Sequence, residues 1–157
     1  MPTTLTAGDT APAFELEDDR GGRVSLADLV GEWVVLYWYP KDDTPGCTTE
    51  ACEIRDSWGL ISSEAKLFGV SPDSVKSHQK FRDKFSLPFP LLADPEHKVS
   101  DAYGVWGPKK FMGREYMGVD RSTFIIGPDG KLAKVFEKVK PAGHALEILQ
   151  TLQELKG

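Results

Sequence analysis

The sequence predicts an α/β fold in which helices flank a central mixed β-sheet that an N-terminal β-hairpin extends. Two observations support this prediction. A buried strand, a helix and a second strand follow one another between residues 33 and 71, which is the pattern of a β-α-β unit with parallel strands. Near the C-terminus, a hairpin and then a helix follow, so antiparallel strands are expected in the same sheet.

The N-terminal hairpin is predicted from two short apolar-alternating segments. Residues 14–17 and 23–25 are expected to be strands on either side of the turn at residues 18–22, which contains two adjacent glycines. Ser25 is then placed to cap a short helix that ends at Leu29.

The central strand is predicted at residues 33–39, a run of seven apolar residues rich in β-branched and aromatic side chains. Such a run is too short to span a membrane and is typical of a strand buried on both faces. Pro40 ends the strand. Thr44 is expected to cap the following helix by accepting the Cys47 N–H, and Pro45 suits the first helical position. The helix should run to about residue 62.

The middle of the chain continues the alternation of strands and helices. Strands are predicted at residues 66–71 and 91–92, and the helix between them should start at Asp73 or Ser74 and close before Leu87-Pro88. A further helix is expected from Asp94 to about residue 103. Residues 106–113 are predicted to be a loop because Gly and Pro interrupt them, and 115–117 a short strand.

The last elements are a hairpin and a helix. Residues 122–126 and 132–136 flank a Gly-Pro-Asp-Gly turn at 127–130, which predicts two antiparallel strands. The final helix is expected to begin near Pro141 and to face the core with Leu146, Leu149, Leu152 and Leu155. This order of elements is that of a thioredoxin-like sandwich.

Composition indicates one domain spanning residues 1–157. Nineteen basic and 24 acidic residues give a net charge of −5, which favours solubility and argues against a nucleic-acid or membrane-surface partner. Residues 1–6 lack the pattern of a secretory signal, so we expect a cytoplasmic enzyme with reduced thiols.

Cys47 is the first candidate for chemistry because it is expected in the first turn of a helix. Free N–H groups and the helix dipole favour an anion there, and the thiolate is the nucleophilic form of cysteine. The alternative is a small buried hydrophobic residue, the common fate of cysteine in a cytoplasmic protein. Position alone does not decide between the two.

Cys52 lies five residues further along the same predicted helix. That spacing corresponds to roughly 140° of rotation and about 7.5 Å of rise, so the two Cα atoms would be roughly 8–9 Å apart. A static disulfide within an intact helix is therefore not expected. Two interpretations remain: two inert thiols, or a pair that bridges only when the helix start unwinds.

The pattern Pro40-x-x-x-Thr44-x-x-Cys47 resembles the active-site pattern of the peroxiredoxins, and Cys52 resembles the companion cysteine of the peroxiredoxin Q, or bacterioferritin comigratory protein, subfamily. The resemblance covers nearly the whole chain. It includes the stretches at residues 8–14, 69–71, 104–107 and 121–124.

The resemblance implies a role for each matching residue. Cys47 would be the peroxidatic cysteine and Cys52 the resolving cysteine. Thr44 and Arg121 would contact the sulfur and the peroxide, with Pro40, Gly46 and Glu50 in support. From the residues alone, Arg121 would instead be a solvated arginine paired with Asp120, and Glu50 a helix-surface acid favoured by the helix dipole.

The implied function is a thiol peroxidase that reduces hydrogen peroxide and organic hydroperoxides. Its Cys47–Cys52 disulfide would be recycled by thioredoxin or a similar dithiol donor, in a monomer that needs no metal, haem or flavin. The alternatives are a peroxide-sensing redox switch, a thioredoxin-like disulfide exchange protein and a non-catalytic binding module. A Cys-x-x-Cys motif is absent, which disfavours disulfide exchange, and the scattered histidines His78, His97 and His144 support neither a zinc site nor a Cys–His pair.

Overall fold

The structure is a computed structural model that describes residues 3–157. Nine strands are found in this part of the chain: β1 (Glu15–Asp18), β2 (Arg23–Ser25), β3 (Val34–Trp38), β4 (Lys66–Ser71), β5 (Leu91–Ala93), β6 (Trp106–Phe111), β7 (Arg114–Val119), β8 (Ser122–Ile126) and β9 (Leu132–Phe136). The helices are α1 (Pro45–Asp56), α2 (Trp58–Glu64), α3 (Val75–Phe85), α4 (Lys98–Ala102) and α5 (His144–Lys156), with a 3₁₀ helix at Leu26–Leu29.

Seven of these strands form the central sheet in the order β2-β1-β5-β4-β3-β8-β9, and β6 pairs with β7 in a separate ribbon. The pairs β3–β4 and β4–β5 are parallel, whereas β3–β8, β8–β9, β1–β5 and β1–β2 are antiparallel. The predicted mixed sheet and N-terminal hairpin are thus confirmed. The β-α-β unit is made by β3, α1, α2 and β4.

The central strand β3 is buried along its whole length, as its apolar run predicts. Alternate side chains enter two separate cores, because successive residues of a strand point to opposite faces. Tyr37 and Tyr39 lie in one core with residues of α1, α3 and α5, and Trp38 lies in the other with Tyr103 and Phe124. The functional candidates of α1 therefore contact the Tyr37 face of the sheet.

Several predicted boundaries are wrong. The helix expected to run to residue 62 is two helices, since α1 ends at Asp56 and α2 begins at Trp58 after Ser57. The helix expected from Asp94 is shorter, because His97 has a left-handed backbone (φ 51°) and α4 begins only after it. The supposed loop 106–113 contains strand β6, where Pro108 is tolerated because the ribbon has only two strands.

The leucine stripe expected on the last helix is only half correct. Leu149 and Leu152 are buried, whereas Leu146 and Leu155 are 58% and 38% exposed. A step of three residues turns a helix through about 300°, so a series of such steps drifts around the helix and leaves the buried face. Ala145 and Ile148 complete that face, and α5 begins at His144 rather than near Pro141.

Among the described residues, no helix combines the length and the apolar character that crossing a membrane requires.

The first testable prediction concerns Gly69 on β4, beside the face of β3 that carries Tyr37. An added Cβ would lie 2.9 Å from atoms of the Tyr37 ring and from Leu91 Cδ2. Gly69→Ala should therefore lower the free energy of unfolding by about 1–3 kcal/mol, as overpacking of a core does. Urea unfolding measures this change.

Gly59→Ala is the matched control for that experiment. Gly59 lies in α2, and a Cβ there would meet no heavy atom within 4 Å. Because alanine is the better helix former, this control should leave the protein as stable as before or stabilise it by up to about 1 kcal/mol. Equal effects of the two substitutions would contradict the packing argument.

Candidate active site

Cys47 lies in the first turn of α1, as predicted. Thr44 is the N-cap residue and Pro45 occupies the first helical position. The Cys47 side chain is only 1% exposed and packs in the core that contains Tyr37, Tyr39 and Ile54. Apolar packing alone would describe an inert thiol, so the polar groups that reach the sulfur decide what it can do.

Arg121 is the cation that reaches the sulfur. Its Nη2 lies 3.3 Å from Cys47 Sγ, and its Nη1 donates to Glu50 Oε1 at 2.7 Å. Burial acts to lower the pKa of Arg121, but Glu50 and Cys47 outweigh it and raise the pKa above its ordinary value. The guanidinium therefore stays charged beside the sulfur.

The sheet register explains why residues 47 and 121 meet. Strand β8 pairs with β3 so that Ser122 lies opposite Trp38, the last residue of β3. Arg121 precedes β8 and therefore lies at the end of β3 from which the chain leads into α1. Arg121 does not take Asp120 as its partner, as the solvated alternative would have it; it takes Glu50.

Gly46 makes this close approach sterically possible. A Cβ at residue 46 would lie 3.2 Å from Arg121 Nη2 and 3.3 Å from Pro141 Cγ. Both distances are tighter than ordinary van der Waals contact, so a larger residue would press the guanidinium away from its place beside the sulfur. The sequence pattern alone could not show this, because Gly46 and Arg121 are far apart along the chain.

Glu50 is not the helix-surface acid that its position suggests. Its side chain is buried, 1% exposed, and it forms the ion pair with Arg121. Burial raises the pKa of Glu50 to about 7, although Arg121 acts in the opposite direction. Within residues 3–157, Glu50 Oε2 has no hydrogen-bond partner, which is why the guanidinium on Oε1 compensates only part of the cost of burying the charge.

Tyr37 is a residue of the site that sequence reasoning missed. Its hydroxyl is buried, and the described part of the chain offers it no hydrogen-bond partner. Burial raises the pKa of Tyr37 well above its usual value, and the nearby Glu50 and Cys47 raise it further. The apolar run identified the strand correctly but could not show which of its aromatic rings faces α1.

Thr44 does not cap α1 in the predicted way. Its hydroxyl donates to the Lys41 carbonyl at 2.8 Å, and its side chain makes no capping bond to the helix. The helix instead starts with the Thr48 N–H donating to the Thr44 carbonyl at 2.8 Å. The hydroxyl proton of Thr44 is thus engaged, and its oxygen can still accept a hydrogen bond.

Cys52 lies in the same helix, half-buried, and both cysteines are free thiols. Helix α1 is continuous between them, which agrees with the expectation that no disulfide joins them in this conformation. Pro40, which follows β3, is partly buried.

Two histidines that the sequence left unassigned are buried in polar networks. His144 bonds Thr123 Oγ1 and Glu147 Oε1, both at 2.7 Å, and burial lowers its pKa. His78 bonds Asp42 Oδ2 at 2.7 Å. Neither histidine hydrogen-bonds to a cysteine among the bonds found in the described chain.

One group of described residues has ligand atoms close enough together to hold a metal ion. A metal site would also need those atoms to be free. Asp42, Asp73 and His78 hold ligand atoms within 4.8 Å of one another. These atoms are already used, because His78 bonds Asp42, and Asp73 accepts from the Asp42 N–H and the Ser71 hydroxyl. The arrangement is that of a satisfied polar cluster.

Comparison with known proteins relates the chain to a family. The AhpC/TSA family model matches residues 7–135. Peroxiredoxin Bcp of Bacillus subtilis (strain 168) is 51% identical over 153 residues, covering 97% of this chain and 98% of that protein. Peroxiredoxin Bcp of Escherichia coli (strain K12) is 42% identical, covering 96% and 97%.

Solved structures of peroxiredoxins superpose on this fold. A crystal structure of a variant of Xylella fastidiosa peroxiredoxin Q superposes with a TM-score of 0.93 at 34% identity, covering 99% of this chain and all of that one. A Xanthomonas campestris bacterioferritin comigratory protein, whose structures concern its alkyl peroxide reduction activity, gives a TM-score of 0.86 at 36% identity, with 98% of each chain covered.

The fold is thus a thioredoxin-like one, in which a cysteine in the first turn of a helix contacts an arginine that precedes a strand of the central sheet. The chain belongs to the AhpC/TSA family, among the peroxiredoxins of the Bcp and peroxiredoxin Q type. Members of this group are thiol-dependent peroxidases, which makes the chain a peroxide-reducing oxidoreductase.

The second testable prediction uses Glu50, whose pKa in the folded state is about 7 against 4.5 as the reference. Between these values the folded protein holds more protons than the unfolded chain, so its stability falls as the pH rises from about 4.5 to about 7. Glu50→Gln removes this dependence. The free energy of unfolding of Glu50→Gln minus that of the wild type should therefore increase by about 3 kcal/mol as the pH rises over this interval.

Urea unfolding of both proteins across this pH range measures the effect, with the exposed Glu154→Gln as the matched control. The control should run parallel to the wild type. A difference between Glu50→Gln and wild type that stays constant with pH would show that the carboxyl group titrates normally.

Proposed function

We propose that Cys47 is the peroxidatic nucleophile of this peroxidase, with Cys52 as its resolving partner. The observation that carries the proposal is the 3.3 Å contact between Arg121 Nη2 and Cys47 Sγ at the head of α1. A positive charge at that distance favours the reactive thiolate without any Cys–His pair.

In the first step the Cys47 thiolate attacks one oxygen of the peroxide. A sulfur–oxygen bond forms as the oxygen–oxygen bond breaks, and the second oxygen leaves as water or an alcohol once it has gained a proton. Arg121 stabilises negative charge on the sulfur and on the reacting oxygens. The Thr44 hydroxyl donates its proton to the Lys41 carbonyl, and the lone pairs of its oxygen can accept a hydrogen bond from the peroxide.

Pro40, Gly46 and Glu50 support this step. Glu50 holds the other edge of the guanidinium at 2.7 Å, and Gly46 leaves room for it. Pro40 is partly buried in the loop after β3, and we assign it the role that the family resemblance implies, shielding of the sulfur from water.

In the second step Cys52 resolves the oxidised sulfur. The Cys52 thiol attacks the Cys47 sulfenic acid, a disulfide forms and water leaves. The two sulfurs cannot meet while α1 is intact, because five helical residues separate their Cα atoms by roughly 8–9 Å. The first turn of α1 must therefore unwind between the two steps.

The third step returns both cysteines to thiols. A dithiol donor of the thioredoxin type supplies two electrons by thiol–disulfide exchange through a mixed disulfide. Because both cysteines belong to one chain, the cycle is complete in a monomer, and we place it in the cytoplasm. Hydrogen peroxide and organic hydroperoxides are the proposed substrates, the latter supported by the alkyl peroxide reduction of the Xanthomonas campestris relative.

The third testable prediction concerns the two cysteines. One equivalent of peroxide should produce a Cys47–Cys52 bridge within one chain, seen by mass spectrometry of the digested protein. Cys47→Ser should consume no peroxide above the uncatalysed rate. Cys52→Ser should react once and stop at the sulfenic acid, with no turnover on a thioredoxin system.

Turnover separates the enzyme from a peroxide sensor. Repeated cycles with thioredoxin and its reductase support the peroxidase, whereas a single stoichiometric oxidation would support the sensor. Full turnover by Cys52→Ser would remove Cys52 from the mechanism.

The fourth testable prediction concerns Arg121. Arg121→Ala should lower the second-order rate constant for oxidation of Cys47 by about 10²–10³-fold, the effect of removing one donor aimed at a developing charge. Stopped-flow measurement of the first step gives this constant. Arg114→Ala removes an exposed arginine of strand β7 and should leave it unchanged; equal rates for the two variants would reject the role of Arg121.

A further inference from the structure

In the loop between β3 and α1, residues 39–44, Asp42 makes several buried or partly buried hydrogen bonds to the rest of the protein. The Asp42 carboxylate accepts from the Tyr39 hydroxyl at 2.6 Å and from the Ser77 hydroxyl at 2.8 Å, and it contacts His78 Nδ1 at 2.7 Å. The residue is buried although it lies in a polar loop. A buried carboxylate with this many partners is costly to release, because every partner would lose its bond.

The backbone of the same residue is also held. The Asp42 N–H donates to Asp73 Oδ2 at 2.8 Å, and that oxygen accepts from the Ser71 hydroxyl at 2.7 Å. Side chain and backbone of Asp42 thus join the loop to α3 and to the end of β4. The neighbouring Asp43 makes a bond of a different kind, an exposed ion pair with Lys84 at 2.8 Å.

His78 is fully buried, and its two nitrogens have definite partners. Nε2 lies 3.0 Å from the Leu92 carbonyl, which can only accept, so Nε2 carries a proton. Nδ1 lies 2.7 Å from Asp42 Oδ2. The bond joins the loop to a ring that is itself fixed to strand β5.

This arrangement bears on the unwinding that the proposed cycle requires. Helix α1 must open from its first turn to bring Cys47 to Cys52, and Ala51 and Ile54 hold the rest of the helix in the core. The loop upstream is held at Asp42. The segment that can open is thereby limited to residues 43–50, with a fixed point on each side.

We propose that the Asp42–His78 pair is the fixed upstream hinge of the redox unwinding of α1. It stays formed in both the reduced and the disulfide state, and it returns Thr44 and Cys47 to Arg121 after reduction. Asp42 and His78 act as positioning residues for the reaction, without contact with the peroxide. This inference rests on the proposed function for its purpose, but its structural part can be tested without peroxide.

The structural test compares backbone amides in the reduced protein and in the Cys47–Cys52 disulfide form, which a chemical thiol oxidant can make independently of peroxide. Amide hydrogen exchange followed by NMR reports on two bonds. The Thr48 N–H bonds the Thr44 carbonyl and should lose its protection on oxidation. The Asp42 N–H, bonded to Asp73, should exchange at an unchanged rate. Loss of protection at both amides would overturn the proposal.

The kinetic test uses matched substitutions at the hinge. Asp42→Ala removes the bonds to Tyr39, Ser77 and His78, and it should slow oxidation of Cys47 about tenfold without slowing disulfide formation. Asp42→Asn should restore most of the first rate, because its amide oxygen can accept from Tyr39 and its NH₂ group can face His78 Nδ1. Lys84→Ala removes the exposed ion pair to Asp43 and a contact with the Phe85 ring, leaves the Asp42 bonds in place, and should leave both rates unchanged.

Two kinetic results for Asp42→Ala would contradict the proposed hinge. If Asp42→Ala matches the wild type in the first step, or slows both steps equally, the pair is not a positioning device. Should Asp42→Ala fail to fold, Ser77→Ala removes a single donor of the same cluster and should shift the first step in the same direction, by a smaller factor. An unchanged first step in Ser77→Ala would then overturn the proposal. If peroxide does not oxidise Cys47 at all, the proposed function is rejected. The hydrogen-exchange test of the hinge remains valid, because it uses a disulfide made without peroxide.

Discussion

The guanidinium of Arg121 joins the sulfur of Cys47 to the carboxyl group of Glu50, and the rest of the site depends on this bridge. One cation lies between two acidic groups in a buried place. The cation keeps its charge because both neighbours favour it, whereas Glu50 keeps its charge less readily because one of its oxygens has no partner in the described chain. Such an arrangement is costly for folding, and strained or unsatisfied groups of this kind concentrate where proteins do chemistry.

The sheet brings the members of the bridge together. Strand β3 supplies the buried platform and leads into α1, and β8 runs beside it so that Arg121 lies where α1 begins. Gly46 then leaves room for a contact that a Cβ at this position would crowd. The geometry is a consequence of strand register, which burial of the sheet fixes because a slip of one residue would turn every side chain to the opposite face.

The start of α1 combines tight packing with weak capping. Cys47 and Ala51 are buried, yet the Thr44 hydroxyl bonds Lys41 instead of a free helical N–H. A missing side-chain cap typically costs a helix about 1 kcal/mol. A helix start that holds the sulfur beside Arg121, yet lacks this bond, is suited to the proposed cycle, in which it opens and closes. In the proposed hinge, the hydrogen bonds of the buried Asp42 limit how far this opening extends along the chain.

The sequence by itself determined the mixed α/β fold, the buried central strand, the start of α1 at Pro45 and the position of Cys47 in its first turn. These follow from local rules: apolar runs, proline stereochemistry and helical spacing act over a few residues and leave a visible pattern. It also pointed, through the family resemblance, to Arg121. The tertiary structure alone decided the partners of each group. It buried Glu50 against Arg121, turned the Thr44 hydroxyl to Lys41, brought Tyr37 to the site and joined Asp42 to His78, because contacts between residues distant along the chain depend on register and packing and leave no local signal.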